Sequence, residues 1–171
     1  YLEAGSGLCD DFEVSDSSNM AIFPDVAYDS LSDRALAVWQ EDNSAIYGRI
    51  LTADAFQSND AFLIGSADSS SQPSVVYHPQ DDIFLVTWVV DEELKAQYVS
   101  STGEPIDLQG QRGFDPFIIG DTIGDMERPG VAVNQATGLF LTSWTTKTDG
   151  TNKNIHGRYV ESVSSHDLAV I

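Results

Sequence analysis

Basic side chains are scarce in this sequence. It carries 8 lysines and arginines against 27 aspartates and glutamates, so its 171 residues have a formal net charge of −19. Because phosphate groups are bound chiefly by lysine and arginine, this balance argues against a nucleic-acid partner and an anionic membrane surface. It is typical of a well-solvated surface in a salty or extracellular setting, and acids that cluster around Ca²⁺ are the second interpretation.

Cysteine, long apolar runs and helical patterns are scarce as well. Cys9 is the single cysteine, so no internal disulfide forms; a free thiol, an intermolecular bond and a small buried side chain are all open for it. No apolar run comes near 18 residues, which excludes a membrane-spanning helix. No segment combines helix caps with an i, i+3, i+4, i+7 apolar stripe, so the sequence predicts an all-β protein.

The first residue, Tyr1, is not a methionine. Such a start is expected of a secreted protein that has lost its signal peptide, or of an excerpt from a longer protein. Together with the acid excess, it predicts an extracellular or cell-surface location.

A repeat covers nearly the whole chain. Three segments read Pro-x-Val-[Ala/Val]-[Tyr/Val], then a polar turn, then an apolar run that ends in tryptophan. They are FPDVAYDSLSDRALAVWQED from Phe23, QPSVVYHPQDDIFLVTWVVD from Gln72 and RPGVAVNQATGLFLTSWTTK from Arg128. Their prolines and their tryptophans are both spaced 49 and then 56 residues apart. Because two unrelated landmarks share one period, the sequence predicts one repeat domain over residues 1–171, with units at 23–71, 72–127 and 128–171.

Each unit is predicted to be a four-stranded meander. The first strand follows the proline, which suits the first residue of a strand, and the second is the apolar run, which is expected to be buried on both faces. The third alternates between apolar and polar residues, so one of its faces is expected to be wet (46–51, 94–99 and 155–160). The fourth precedes the next proline (62–65 and 117–120), and residues 166–171 are its counterpart in the last unit.

An additional strand is predicted before the first unit. FEVSDSSNMAIFP, which begins at Phe12, matches the segments that precede Pro73 and Pro129, so residues 12–15 correspond to a fourth strand without its first three. Two interpretations are open. The strand completes a sheet of its own chain, or it inserts into a neighbouring chain and builds an oligomer or filament.

These repeats resemble β-propeller blades, in particular the bacterial and archaeal extracellular repeats that read roughly P-x-V-A-Y, F-L-V-x-W and I-x-G-R. The resemblance covers residues 12–171 and implies a domain of blade-like units, with a β-trefoil as the alternative fold. Propellers carry about four to eight blades. Three units therefore suggest either a longer chain or two copies that share one six-bladed ring. The expected function is non-enzymatic: an extracellular module for glycan or protein binding and self-association.

Two kinds of repeated residue are candidates for binding. The tryptophans could offer platforms for sugar stacking, although their equivalent positions also fit a packing role; they are Trp39, Trp88 and Trp144. Arg49 and Arg158 each follow a glycine on a third strand, where they could contact anions or sugars, or pair with an acid of the neighbouring unit.

Signals for metal binding and catalysis are weak. The segment TDGTNKN offers oxygen ligands for Ca²⁺ in Asp149, Asn152 and Asn154, without the full spacing of a calcium loop. No other cofactor is predicted. The three histidines lack metal-ligand spacing, no Gly-x-Ser-x-Gly motif is present, and pairs of acids are uninformative among 27. A glycoside-active enzyme is therefore only an alternative, and so is a structural subunit that polymerises through its N-terminal strand.

Overall fold

The computed structural model describes eight parts of the chain, namely residues 11–15, 19–52, 60–69, 71–108, 110–113, 115–120, 125–147 and 152–163. The regular structure in these parts consists of antiparallel strands, which confirms the prediction of an all-β protein. None of the described residues belongs to a helix that is long and apolar enough to cross a membrane.

Sheet 1 is a four-stranded antiparallel meander. Its strands are β1 (Ala21–Asp29), β2 (Arg34–Glu41), β3 (Ala45–Thr52) and β4 (Phe62–Ser66), which lie side by side in chain order. Asp42 and Asn43 form the tight turn between β2 and β3, and both have positive φ angles (49° and 52°). Aspartate and asparagine tolerate this left-handed conformation, which a type I′ turn requires at both of its central residues.

Sheet 2 has the same order and one addition. It contains β5 (Ser74–His78), β6 (Ile83–Val90), β7 (Glu93–Ser100), β8 (Pro105–Ile106) and β9 (Phe117–Gly120). Both β8 and β9 pair with β7, at different places along its outer edge. The short strand β8 lies in the connection from β7 to β9, where the second unit is longer than the first.

Sheet 3 contains three strands within the described residues. They are β10 (Asp125–Asn134), β11 (Leu139–Lys147) and β12 (Lys153–Val160), again in chain order. The fourth strand predicted at 166–171 lies outside the described residues, and so does Cys9.

The prolines of the repeat lie at a different place from the one expected. Pro24 and Pro129 are inside β1 and β10, where the register shifts between Ile22 and Asp25 and between Glu127 and Gly130. Only Pro73 precedes its strand. A bulge leaves backbone groups out of the ladder, so it tolerates a residue that has no N–H to donate.

The three sheets pack face to face, with sheet 2 in the middle. One apolar cluster fills the space between sheets 1 and 2, and a second fills the space between sheets 2 and 3. Every residue of β6 is buried, because its two faces belong to the two clusters. Within the described residues, each ladder stays inside one sheet, so side-chain packing rather than backbone pairing joins the sheets.

The predicted wet face of the third strands is wrong for β7. Its polar position Gln97 is fully buried, and the equivalent Arg49 of β3 is buried as well. The alternation has another cause: the apolar positions Leu94 and Tyr98 of β7 face sheet 3, whereas the side chain of Gln97 is bonded to the connection that contains β8.

Candidate binding faces

Each sheet presents two different faces to its neighbours. The leading face carries the repeat tryptophan and points toward the preceding sheet, as Tyr77, Phe84 and Trp88 of sheet 2 do. The trailing face points toward the following sheet, as Leu85, Leu94 and Tyr98 of sheet 2 do. A trailing face packs on a leading face at both junctions inside the molecule.

Glycines on the trailing side make room for the tryptophans. A Cβ atom on Gly65 would lie 2.2 Å from Cζ2 of Trp88, and one on Gly120 would lie 2.8 Å from Cζ2 of Trp144. The indole Nε1 of Trp88 also donates a hydrogen bond of 2.8 Å to the carbonyl oxygen of Ser66. The glycine at or next to the end of β4 and of β9 is therefore required by the tryptophan of the next sheet.

The structure keeps the three candidate tryptophans apart and buries all of them. Trp39, Trp88 and Trp144 are 3 %, 0 % and 4 % exposed. A sugar could stack on these rings only if the residues that cover them were displaced. Trp39 differs from the other two in that its Nε1 donates to Glu41 Oε2 of its own strand, at 3.2 Å.

The two candidate arginines make equivalent contacts with backbone carbonyls. Arg158 Nη1 donates to the carbonyl oxygen of Ile119, on the fourth strand of the preceding sheet. Arg49 Nη1 donates in the same way to Val14, over 2.5 Å. Residues 12–15 thus lie beside sheet 1 where the fourth strand of a preceding sheet would lie.

The middle sheet departs from this arrangement. Its equivalent residue is Gln97, whose Nε2 donates to the carbonyl oxygen of Ile106 in β8 at 2.7 Å. Gln97 Oε1 accepts the backbone N–H of Asp115 at 3.1 Å. The additional connection of sheet 2 therefore occupies the side chain that would otherwise reach toward sheet 1.

The leading face of sheet 1, here called the open first face, has no sheet against it among the described residues. Val26 and Tyr28 on this face are 60 % and 59 % exposed, whereas the equivalent Val75 and Tyr77 of sheet 2 are 7 % and 6 % exposed. A depression of about 570 Å³ opens here, lined by Val14, Val26, Trp39 and Leu51 among others. Most of its lining is apolar side chains of the kinds that fill the junction between sheets 1 and 2, and Ser15 and Asp25 are polar exceptions.

Among the described residues, no sheet covers the trailing face of sheet 3, here called the open last face. Ile155 and Tyr159 are 74 % and 67 % exposed, and Leu141 beside them is also exposed. The ladder pairs Leu141 with Tyr159, so the two side chains share one face, away from the cluster that Phe140 joins. Isolated exposed apolar residues are ordinary, but a contiguous group marks a contact surface.

Polar contacts also hold sheets 1 and 2 in place relative to each other. Asp25 Oδ2 accepts the hydroxyl of Ser74 at 3.0 Å and the backbone N–H of Val75 at 2.9 Å. Burial alone would raise the pKa of Asp29, but the nearby hydroxyl of Tyr77 and hydrogen bonds from the backbone N–H groups of Leu31 and Ser32 lower the pKa below its usual value.

Asp29 makes the stability of this junction dependent on pH. The pKa of Asp29 is lower in the folded than in the unfolded protein. Its contribution to the free energy of unfolding is therefore present above the unfolded pKa of about 4, and it is lost as pH falls through the folded pKa. We expect the difference in unfolding free energy between the wild type and Asp29→Asn to shrink from pH 6 to pH 3. Urea unfolding at both values measures this difference, and an unchanged difference would contradict the assignment.

An acidic cleft of about 260 Å³ lies on another part of the surface, lined by Asp68, Glu92, Asp125 and Glu127 among others. Lys153 Nζ donates to Glu127 at 2.6 Å, and this hydrogen bond lowers the pKa of Glu127. A glycosidase acid needs the opposite shift. No three acids, histidines or cysteines among the described residues are grouped so that they could share a metal ion.

Only two of the three predicted calcium ligands belong to the described residues. Asp149 lies outside the described residues, and Asn152 and Asn154 are exposed at the start of β12. Calcium binding at this turn stays a prediction. The two histidines that the structure describes make packing contacts: His78 lies against Phe140 and His156 stacks on Trp144, with ring centroids 5.5 Å and 5.9 Å apart.

Two solved structures resemble this chain at low sequence identity. The chain is similar to a GH43 endo-arabinanase from Bacillus licheniformis, with 16 % identity and a TM-score of 0.48 over 82 % of this chain and 53 % of the other. It is also similar to a chain of a nidogen/laminin complex, with 12 % identity and a TM-score of 0.42 over 80 % and 48 %. The chain thus spans about half the length of these two structures. No family model matches it, and no curated protein does.

Proposed function

We propose that the chain is a run of three β-propeller blades that acts outside the cell as a non-enzymatic module for binding and assembly. The observation that carries this proposal is the exposure of the open first face, where Val26 and Tyr28 are uncovered while their equivalents Val75 and Tyr77 are buried. A surface with the residue types of an internal junction is suited to bind another sheet.

The separation of the strands into three sheets supports blades over the trefoil alternative. A closed barrel requires strands of successive units to pair with one another, whereas here the described ladders stay within each unit. The extracellular location is supported by composition alone, through the excess of 27 acids over 8 bases.

The test is the mass of the full chain in solution. Light scattering on a size-exclusion column, over about a hundredfold range of protein concentration, should show association that grows with concentration. Tyr28→Lys places a charge on the open first face and should weaken association at least roughly tenfold, because an unpaired ammonium would be buried in the contact.

Leu108→Lys is the matched control. Leu108 is also an exposed apolar residue, but it lies in the connection that contains β8 rather than on an open face. It should leave the association constant unchanged. A wild type that stays monomeric throughout, or a Tyr28→Lys variant that associates as well as Leu108→Lys, would contradict the proposed function.

A second candidate function is a structural subunit that exchanges its N-terminal segment between chains. It is favoured by the contact of Arg49 with Val14, which places residues 12–15 as an outer strand of a preceding sheet would be placed. Deletion of residues 1–19 should then abolish association altogether. If association is unchanged after this deletion, exchange of the segment does not build the assembly.

A further inference from the structure

We propose that the occupant of the open first face is the open last face of a second copy of this chain, so that two copies close into one ring of six sheets. The inference rests on the proposed function, and it adds the identity of the partner and the direction of docking. It predicts a head-to-tail contact that occurs twice in a closed pair.

The two open faces match the two sides of the existing junctions. On the trailing side, Ile155 of sheet 3 corresponds in the repeat to Ile46 of sheet 1 and Leu94 of sheet 2. Tyr159 of sheet 3 corresponds to Ile50 of sheet 1 and Tyr98 of sheet 2. Those four counterparts are buried in junctions, with at most 1 % exposed. The open last face therefore carries the residue types that already pack on a leading face.

The leading side shows the same correspondence. Tyr28 on the open first face donates its hydroxyl to Asp33 at 2.6 Å, just as Tyr77 donates to Asp82 at 2.7 Å in the covered junction. The side chain thus has the same hydrogen bond with and without a neighbouring sheet.

Polar contacts at the covered junctions predict those of the new one. Tyr98 donates its hydroxyl to the carbonyl oxygen of Glu161 at 2.6 Å, across the junction between sheets 2 and 3. In the repeat, Tyr159 corresponds to Tyr98 and Thr52 corresponds to Glu161. We therefore expect Tyr159 to donate to the carbonyl oxygen of Thr52 in the second copy.

Charge opposes this association and defines the conditions of the test. Each copy carries a formal charge of −19, so two copies repel each other at low ionic strength. Salt screens this repulsion while it leaves apolar packing intact. The association constant should therefore rise with sodium chloride, and the measurements are best made at about 0.3 M salt, where screening is strong.

The decisive experiment mixes two variants of the full chain. Tyr28→Lys blocks the open first face, and Tyr159→Lys blocks the open last face. Head-to-tail docking predicts that each variant alone is monomeric, because every junction would contain a blocked face. An equimolar mixture should recover a dimer that is joined at one junction, through the intact last face of one variant and the intact first face of the other. This dimer should be weaker than the wild-type dimer, because the second junction then contains both lysines. Sedimentation velocity measures all three samples beside the wild type, which should have twice the mass of one chain.

Each other outcome overturns the inference in a distinguishable way. If Tyr159→Lys alone still dimerises while Tyr28→Lys alone does not, the contact joins two first faces and the docking is head-to-head. If the wild type forms species larger than two chains, the junction repeats without closing. In both cases the proposed function stands, because the open first face still mediates assembly. A monomeric wild type defeats both proposals. Circular dichroism and thermal melting of each variant show whether a lost dimer reflects a lost fold.

Discussion

Gly65→Ala should destabilise the protein by about 3 kcal/mol or more, as overpacked cores do in severe cases. The new methyl group would lie 2.2 Å from Cζ2 of Trp88, well inside van der Waals contact. The ring cannot withdraw easily, because Trp88 is fully buried and its Nε1 is bonded to Ser66. In an ordinary strand the same change would be mildly stabilising, since glycine weakens strands. Urea unfolding of the two proteins measures the difference.

Two further variants separate the steric effect from others. Gly113→Ala is the control, because its methyl group would approach nothing closer than 3.8 Å and should change stability by less than about 0.5 kcal/mol. Combining Gly65→Ala with Trp88→Leu should cost less than the sum of the single changes, because the smaller side chain vacates the contested space. If the two changes in unfolding free energy simply add, the Gly65 position is not constrained by the Trp88 ring.

Tyr77→Ala and Tyr28→Ala should differ in unfolding free energy by about 3 kcal/mol in the monomer, although the two residues occupy equivalent positions. Both donate a hydrogen bond to the aspartate five residues later, so that loss is common to the two variants. Tyr77 is also packed on Phe84 inside a junction, with ring centroids 4.9 Å apart, whereas most of Tyr28 is in solvent. The difference in unfolding free energy measures how much a neighbouring sheet stabilises the protein through its packing on one tyrosine.

Protein concentration should change this comparison. If a second copy covers Tyr28, the cost of Tyr28→Ala grows as the protein associates, and the cost of Tyr77→Ala stays constant. Denaturation at two concentrations, well below and well above the dissociation constant, measures both. Equal costs for the two variants in dilute solution would mean that Tyr28 is already buried in the monomer.

The strands were predictable from the sequence because their signals are local. The apolar run before Trp88 and the alternation around Arg49 fall inside β6 and β3. The bulges at Pro24 and Pro129 were not predictable, because a bulge depends on how the partner strand pairs.

The candidate site was predictable only in part. The repeated tryptophans and arginines pointed to recurring contacts, but their partners, Gly65 and the carbonyl oxygen of Val14, are distant in sequence. Gly65 and Gly120 stand at equivalent positions near the ends of the fourth strands. This repeated glycine could have indicated from the sequence that an aromatic side chain packs against each position. The open faces left no such signal, since Tyr28 and Tyr77 have the same local sequence pattern and differ only in what lies against them.

The placement of sheet 2 between its neighbours also has a consequence for cooperativity. A linear array in which each unit contacts only the adjacent ones gains stability from its junctions. Unfolding an end unit breaks only one junction, so its free-energy cost is lower than that of an inner unit. Sheets 1 and 3 each share one junction, while sheet 2 shares two. Local unfolding should therefore begin at either end and reach β6 last. An array that closes on itself has no end units, so closure would turn a chain that frays into one that opens as a whole.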